Sequence, residues 1–177
     1  MVVMNLRFVV LGCLAAATFG STIRAQEAVV GIDNPEPLFH DKDPKLDANK
    51  QVILHIMRDL LEANHWSDAP KWIAPEYHQH NPLVQSGLDP VMKFFGSRTP
   101  SPIPDIKDMK TKIVAVLAEG DLVMVAIRRE LPEPSDPNRH YTSTWFDMWR
   151  VQNGKAVEHW DAATKPVSPA AGGRKED

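Results

Sequence analysis

The chain has 177 residues, with 20 Lys+Arg against 23 Asp+Glu and a formal net charge of −3. Its first 25 residues carry only two charges, Arg7 and Arg24, so the remaining part is the more acidic and amounts to one ordinary domain with one core. No run of Lys or Arg supplies the phosphate-neutralising charge on which DNA or RNA affinity rests, which excludes nucleic acid as a main partner.

In chain order, Arg7 is followed by twelve mostly apolar residues, Phe8 to Phe19, then by small and polar residues up to Ala25. This is the layout of a secretory signal peptide cleaved near Ala25-Gln26, and it predicts a secreted or periplasmic protein with no membrane attachment after cleavage. Twelve helical residues span about 18 Å, short of a hydrocarbon core of about 30 Å, which argues against a retained anchor. Cys13 is the only cysteine and lies inside this segment, so the mature chain uses neither thiols nor disulfides. Residues 26–46, rich in Pro, Asp and Asn, read as an extended arm. Residues 47–165 read as the folded domain and residues 166–177 as a disordered tail.

Val52, Ile53, Ile56, Met57, Leu60 and Leu61 recur at helical spacing and predict a helix from Asp47, as N-cap, to Asn64. Shorter helices are expected at Ser67–Ile73 and Leu88–Phe95. Beyond the proline-rich link Pro100–Pro104, alternating patterns predict strands at Lys110–Ala118, Leu122–Leu131, Tyr141–Val151 and Ala156–Ala163, with Gly120-Asp121 and Asn153-Gly154 marking two turns. Helices followed by a meander define an α+β domain with a curved antiparallel sheet wrapped around the long N-terminal helix.

Two segments carry a resemblance: Tyr77-His78-Gln79-His80-Asn81-Pro82 with Gly87, and Asp147-Met148-Trp149-Arg150 leading through Asn153-Gly154-Lys155 to Val157-Glu158-His159-Trp160-Asp161. In this order and spacing the chain resembles the SnoaL-like polyketide cyclase branch of the nuclear transport factor 2-like superfamily, over about Asp47 to Thr164. The resemblance implies a cone-shaped, cystatin-like α+β fold enclosing one deep pocket, often as a homodimer. It also implies aldol-type ring closure by a pocket aspartate without metal or organic cofactor. A distant relative in the superfamily, limonene epoxide hydrolase, uses an Asp-Arg-Asp set; Arg128 and Glu130 occupy the corresponding region here, with a solvated charged strand end as the alternative.

The last hairpin admits two registers. A two-residue turn at Asn153-Gly154 sets Arg150 against Val157 and Trp149 against Glu158. A three-residue loop with Gly154 in the left-handed bulge position instead pairs Arg150 with Glu158, Met148 with Trp160, Trp149 with His159 and Asp147 with Asp161. Charge and apolar matching favour the second. Two carboxylates directly opposed on an apolar-walled face cannot both ionise without cost, so one is expected to titrate high and act as acid, the other as base, with His159 as proton carrier. The alternative is that Asp147 caps a backbone amide and Asp161 sits at the rim.

His80 is expected to point into the pocket with these three as a catalytic donor, and Asn81 beside it, assisted by Tyr77 and His78, to hold a carbonyl oxygen; a self-bonded polar loop is the alternative. Trp145 and Trp149 share the pocket face, and Phe94 completes the substrate wall from the third helix. His78, His80 and His159 lack a fourth ligand at metal-site spacing, so no metal and no cofactor is assigned. The function this predicts is an exported acid/base enzyme of lyase or isomerase type, performing cyclisation, isomerisation or hydration on a small apolar carbonyl-containing ligand. Its competitor is a non-catalytic extracytoplasmic binding protein on the same scaffold, which the export signal favours.

Overall fold

The computed structural model describes residues 26–165, and the predicted signal segment and tail lie outside these residues. The predicted arm is anchored: Val29 N–H donates to Thr142 Oγ1 at 2.7 Å and Ile32 N–H to Ile113 O at 2.7 Å. A short 3-10 turn, Glu36–Phe39, then drops Phe39 fully into the core.

Helix α1 runs Pro44–His55 and starts one turn earlier than the sequence reading. Its cap is Asp43, whose Oδ1 accepts from Lys45 N–H at 2.8 Å and Leu46 N–H at 3.3 Å, with Pro44 at the first helical position where its missing N–H costs nothing. Asp47 instead accepts from Asp41 N–H and His40, fastening the arm to the helix. From Ile56 to Glu62 the helix widens into π-helical turns; Ala63 N–H donates five residues back to Arg58 O at 3.0 Å. Asn64, with φ of 62°, ends it. Ile53 and Leu60 are fully buried against the sheet, each contributing roughly 1.5–3 kcal/mol by removal from water.

A 3-10 turn at Trp66–Asp68 and a short helix α2, Ala69–Trp72, replace the predicted second helix, and α3 is Leu88–Phe95 as predicted. Strands β2 (Ile113–Glu119), β3 (Leu122–Glu133), β4 (Asp136–Gln152) and β5 (Lys155–Asp161) form the predicted antiparallel meander. A further strand, β1 (Ile73–Gln79), pairs parallel with β5 and completes a five-stranded curved sheet of order β1-β5-β4-β3-β2. The sequence reading ends the second helix at Ile73 and leaves the polar run after it without a strand. A parallel edge strand forms by pairing with β5, a distant partner, so its own alternation is weak.

The β4–β5 register follows the favoured pairing, with Asp147 opposite Asp161, Trp149 opposite His159 and Arg150 opposite Glu158. The device that sets it differs. Asn153 and Gly154, at φ of 51° and 74°, form a two-residue turn of primed type, so Gln152 faces Lys155 and Val151 faces Ala156. The extra residue is Val157, one step inward, where the register shifts between Val151 and Arg150.

Candidate active site

The inner sheet face, the widened end of the long helix and α3 enclose a cavity of about 290 Å³. Odd-numbered residues of β4 face it in rows whose exposure rises toward the mouth. Trp149 is 2% exposed, the Asp147 side chain 13%, Trp145 is half-buried, and on the neighbouring strand Arg129, opposite Ser143, is exposed. Ile56, Leu61 and Phe95 supply apolar wall from the helical side.

Hydrogen-bond chemistry fixes the orientation of each polar group. Gln79 Oε1 accepts from Asn81 N–H at 3.0 Å, which identifies that end of the amide as oxygen. The same oxygen lies 2.7 Å from His159 Nδ1, so Nδ1 carries a proton and donates to it. His159 Nε2 then faces Asp147 Oδ1 at 3.1 Å. Two lone pairs cannot meet at that distance, so a proton lies between imidazole and carboxylate. Trp145 Nε1–H also donates to Asp147 Oδ1, at 3.1 Å, while Asp147 Oδ2 has no protein partner among the described residues and is left to the cavity.

Asp161 is held differently. Asn81 Oδ1 accepts from Leu83 N–H at 2.9 Å, so Asn81 Nδ2 is the end that donates to Asp161 Oδ2 at 2.6 Å. Asp161 Oδ1 accepts from Ala163 N–H at 2.9 Å. Both its oxygens are engaged, and it lines the pocket while taking the backbone-amide contact that the alternative reading gave to Asp147. Tyr77 is 3% exposed; burial, reinforced by the charges of Asp147 and Asp161, pushes its hydroxyl well above the ordinary phenol range, so it is a neutral O–H donor.

Asp147, Asp161, His159, Tyr77, Asn81, Trp145 and Trp149 therefore converge on one cavity. His80, His78 and Phe94 do not. Along the extended chain side chains alternate, so Tyr77, Gln79 and Asn81 face inward while His78 and His80 face out. His80 donates to Glu158 Oε1 at 2.9 Å and stacks on Trp160, with ring centroids 5.2 Å apart. Glu158 also accepts from Arg150 Nε at 3.0 Å on that outer face. Phe94 is 52% exposed; its neighbour Phe95 enters the pocket and stacks on Trp66. Arg128 and Glu130 pair with each other at 2.8 Å, and Arg129 between them lines the pocket instead. Gln79, Phe95 and Arg129 are pocket residues the sequence reading missed, and for Gln79 its position at the centre of the quoted motif was the available signal.

Asp147, His159 and Asp161 present one donor atom each, all within 4.8 Å of one another, and are the set among the described residues that could hold a metal ion. His78 and His80 take no part in it.

A curved five-stranded sheet over helices, with a pocket on its inner face, is the nuclear transport factor 2-like fold. The family model for the SnoaL-like domain matches residues 55–159, and the chain belongs to that family. Among solved structures, a candidate SnoaL-like polyketide cyclase from Jannaschia sp. CCS1 is similar at 13% identity and a TM-score of 0.50, covering 70% of this chain and 91% of that one. A candidate polyketide cyclase from Bacillus cereus ATCC 10987 is 14% identical at a TM-score of 0.49, covering 76% and 90%. A limonene epoxide hydrolase-like enzyme from Mycobacterium tuberculosis is 11% identical at 0.46, covering 64% and 80%. At these identities the likeness is one of fold. No curated protein matches the sequence at a significant level.

Proposed function

We propose that this protein is an exported, cofactor-independent enzyme that moves protons on a small apolar carbonyl compound, in a cyclisation, isomerisation or hydration. The observation that carries the reading is the proton-sharing pair Asp147–His159, locked by Gln79, with Asp147 Oδ2 open to an apolar-walled cavity. In the simplest step Asp147 Oδ2 takes the proton from the carbon next to the carbonyl, and the electron pair moves to the carbonyl oxygen as an enolate. The neutral Tyr77 hydroxyl donates to that oxygen. His159, fixed through Nε2 on Asp147 Oδ1, stabilises that carboxylate, and Asp147 returns the proton from Oδ2 to carbon or to the leaving oxygen. Asp161, fixed by Asn81, keeps a second carboxylate opposite to orient the substrate or an attacking water. Export rests on the layout of residues 1–25 alone.

The test needs no knowledge of the natural substrate. Wild-type protein in D2O is expected to accelerate deuterium exchange next to the carbonyl of a methyl ketone such as 2-octanone, followed by proton NMR. Asp147→Asn is expected to abolish the acceleration while leaving folding unchanged, since the amide oxygen still accepts from Trp145. Undiminished exchange in Asp147→Asn would overturn the assignment. Binding of the ketone without exchange in wild type would favour the non-catalytic binding protein.

A further inference from the structure

Arg129 is a cation without a carboxylate partner among the described residues, at the mouth of a pocket whose interior is acidic. Its guanidinium lies 4.4 Å from the Trp145 ring centroid. Stacking occupies only the face of the guanidinium and leaves its N–H fork free in the plane. Arg128, beside it, spends its fork on Glu130 and on Val29 O; Arg129 donates to no protein acceptor among the described residues. Register gives the depth of each group. Asp147 is paired with Val125, Trp145 with Ile127 and Ser143 with Arg129, so successive rows rise by about 7 Å toward the mouth. An anion placed deep would meet Asp147 and Asp161; one placed at the mouth would meet Arg129, the cation among the described lining residues.

From this gradient we infer that the substrate is an oxo acid: a carbonyl group that enters to the Asp147–His159 pair, an apolar segment of roughly one row along Trp145 and Ile127, and a terminal carboxylate held by Arg129. The inference rests on the pocket reading above and adds orientation to it. Repulsion from the two aspartates excludes the reversed pose. Arg129 is thus a specificity residue, and it touches the tail rather than the reacting atoms.

The matched pair 7-oxooctanoate and 7-oxooctanamide has the same length and apolar body and differs in the charge of one end. Chemical-shift titration of the wild type is expected to show the acid binding about tenfold more tightly than the amide, with the preference weakening as salt is raised. Arg129→Gln should erase the preference by weakening the acid alone. Arg129→Lys should retain part of it. Because Arg129 is exposed, neither variant threatens the fold, and unchanged amide binding verifies the pocket in each. Equal binding of acid and amide by the wild type, or a preference surviving in Arg129→Gln, would overturn this inference and leave the pocket reading standing. If neither compound binds, the pocket reading fails and the inference with it.

Discussion

Replacing Gln79 with methionine removes the acceptor of the His159 Nδ1–H while keeping side-chain length and much of the volume. His159 is 6% exposed, so its Nδ1–H, now 2.7 Å from Gln79 Oε1, would be left buried without a partner. An orphaned buried donor costs about 1–3 kcal/mol. The Asn81 N–H loses the same acceptor but lies nearer water, so the loss is dominated by the histidine. Taking about 2 kcal/mol and about 2–4 °C per kcal/mol for a domain near this size, the melting temperature should fall by roughly 4–8 °C. The ring is also freed to exchange which nitrogen carries the proton. Nitrogen-15 NMR of the imidazole should show a protonated Nδ1 in the wild type and a tautomer mixture in Gln79→Met, with deuterium exchange on the ketone reduced accordingly. Gln79→Glu retains an acceptor and should keep the stability that Gln79→Met loses. A Gln79→Met protein that melts with the wild type and still shows one fixed tautomer would refute the reasoning.

The outer-face network gives a prediction with a pH sign. His80 and then Arg150 hold the Glu158 carboxyl below its ordinary value, and Arg150 and Gln152 do the same for Asp121. A carboxyl lowered on folding adds stability that is fully present above its unfolded value, about 4.3 for Glu, and is lost as pH falls through the lower folded value. Glu158→Gln should therefore be less stable than wild type at neutral pH, with the gap closing as pH drops below about 4 and shrinking in high salt, because the pair is partly exposed. Urea titrations across pH measure it, and a gap independent of pH would contradict the assignment. Removal of divalent ions by EDTA should leave melting temperature and ketone binding unchanged. Loss of either, restored by zinc alone, would show that Asp147, His159 and Asp161 hold an ion rather than a proton.

Several features were legible because their determinants are local. Strands β2 to β5 announce themselves by alternation, and α3 by its apolar face. The pairing of Asp147 with Asp161 followed from matching charges and rings across the hairpin, although the extra residue that produces it sits at Val157 and not in the turn. The helix start was misplaced by one turn because Asp43 and Asp47 are both competent caps; Pro44 was the discriminating residue. Charged strand ends were correctly divided only in part, since Arg128 and Glu130 do face water while Arg129 between them turns to the pocket.

The amino-acid sequence by itself determined the α+β class, the family and the presence of an aspartate pair flanked by tryptophans and a histidine, because periodicity, turn residues and motif spacing act over a few residues. Tertiary structure alone decided which half of Tyr77-His78-Gln79-His80-Asn81 belongs to the site. That run has no hydrophobic alternation to fix its phase; its phase comes from parallel pairing with β5, where Gln79 meets His159. Shifting it by one residue would have put both histidines inside and Gln79 outside. The same dependence hid Phe95 behind Phe94, because two adjacent aromatic residues at a helix end differ by about 100° in direction, and only the position of Trp66 against α3 selects between them.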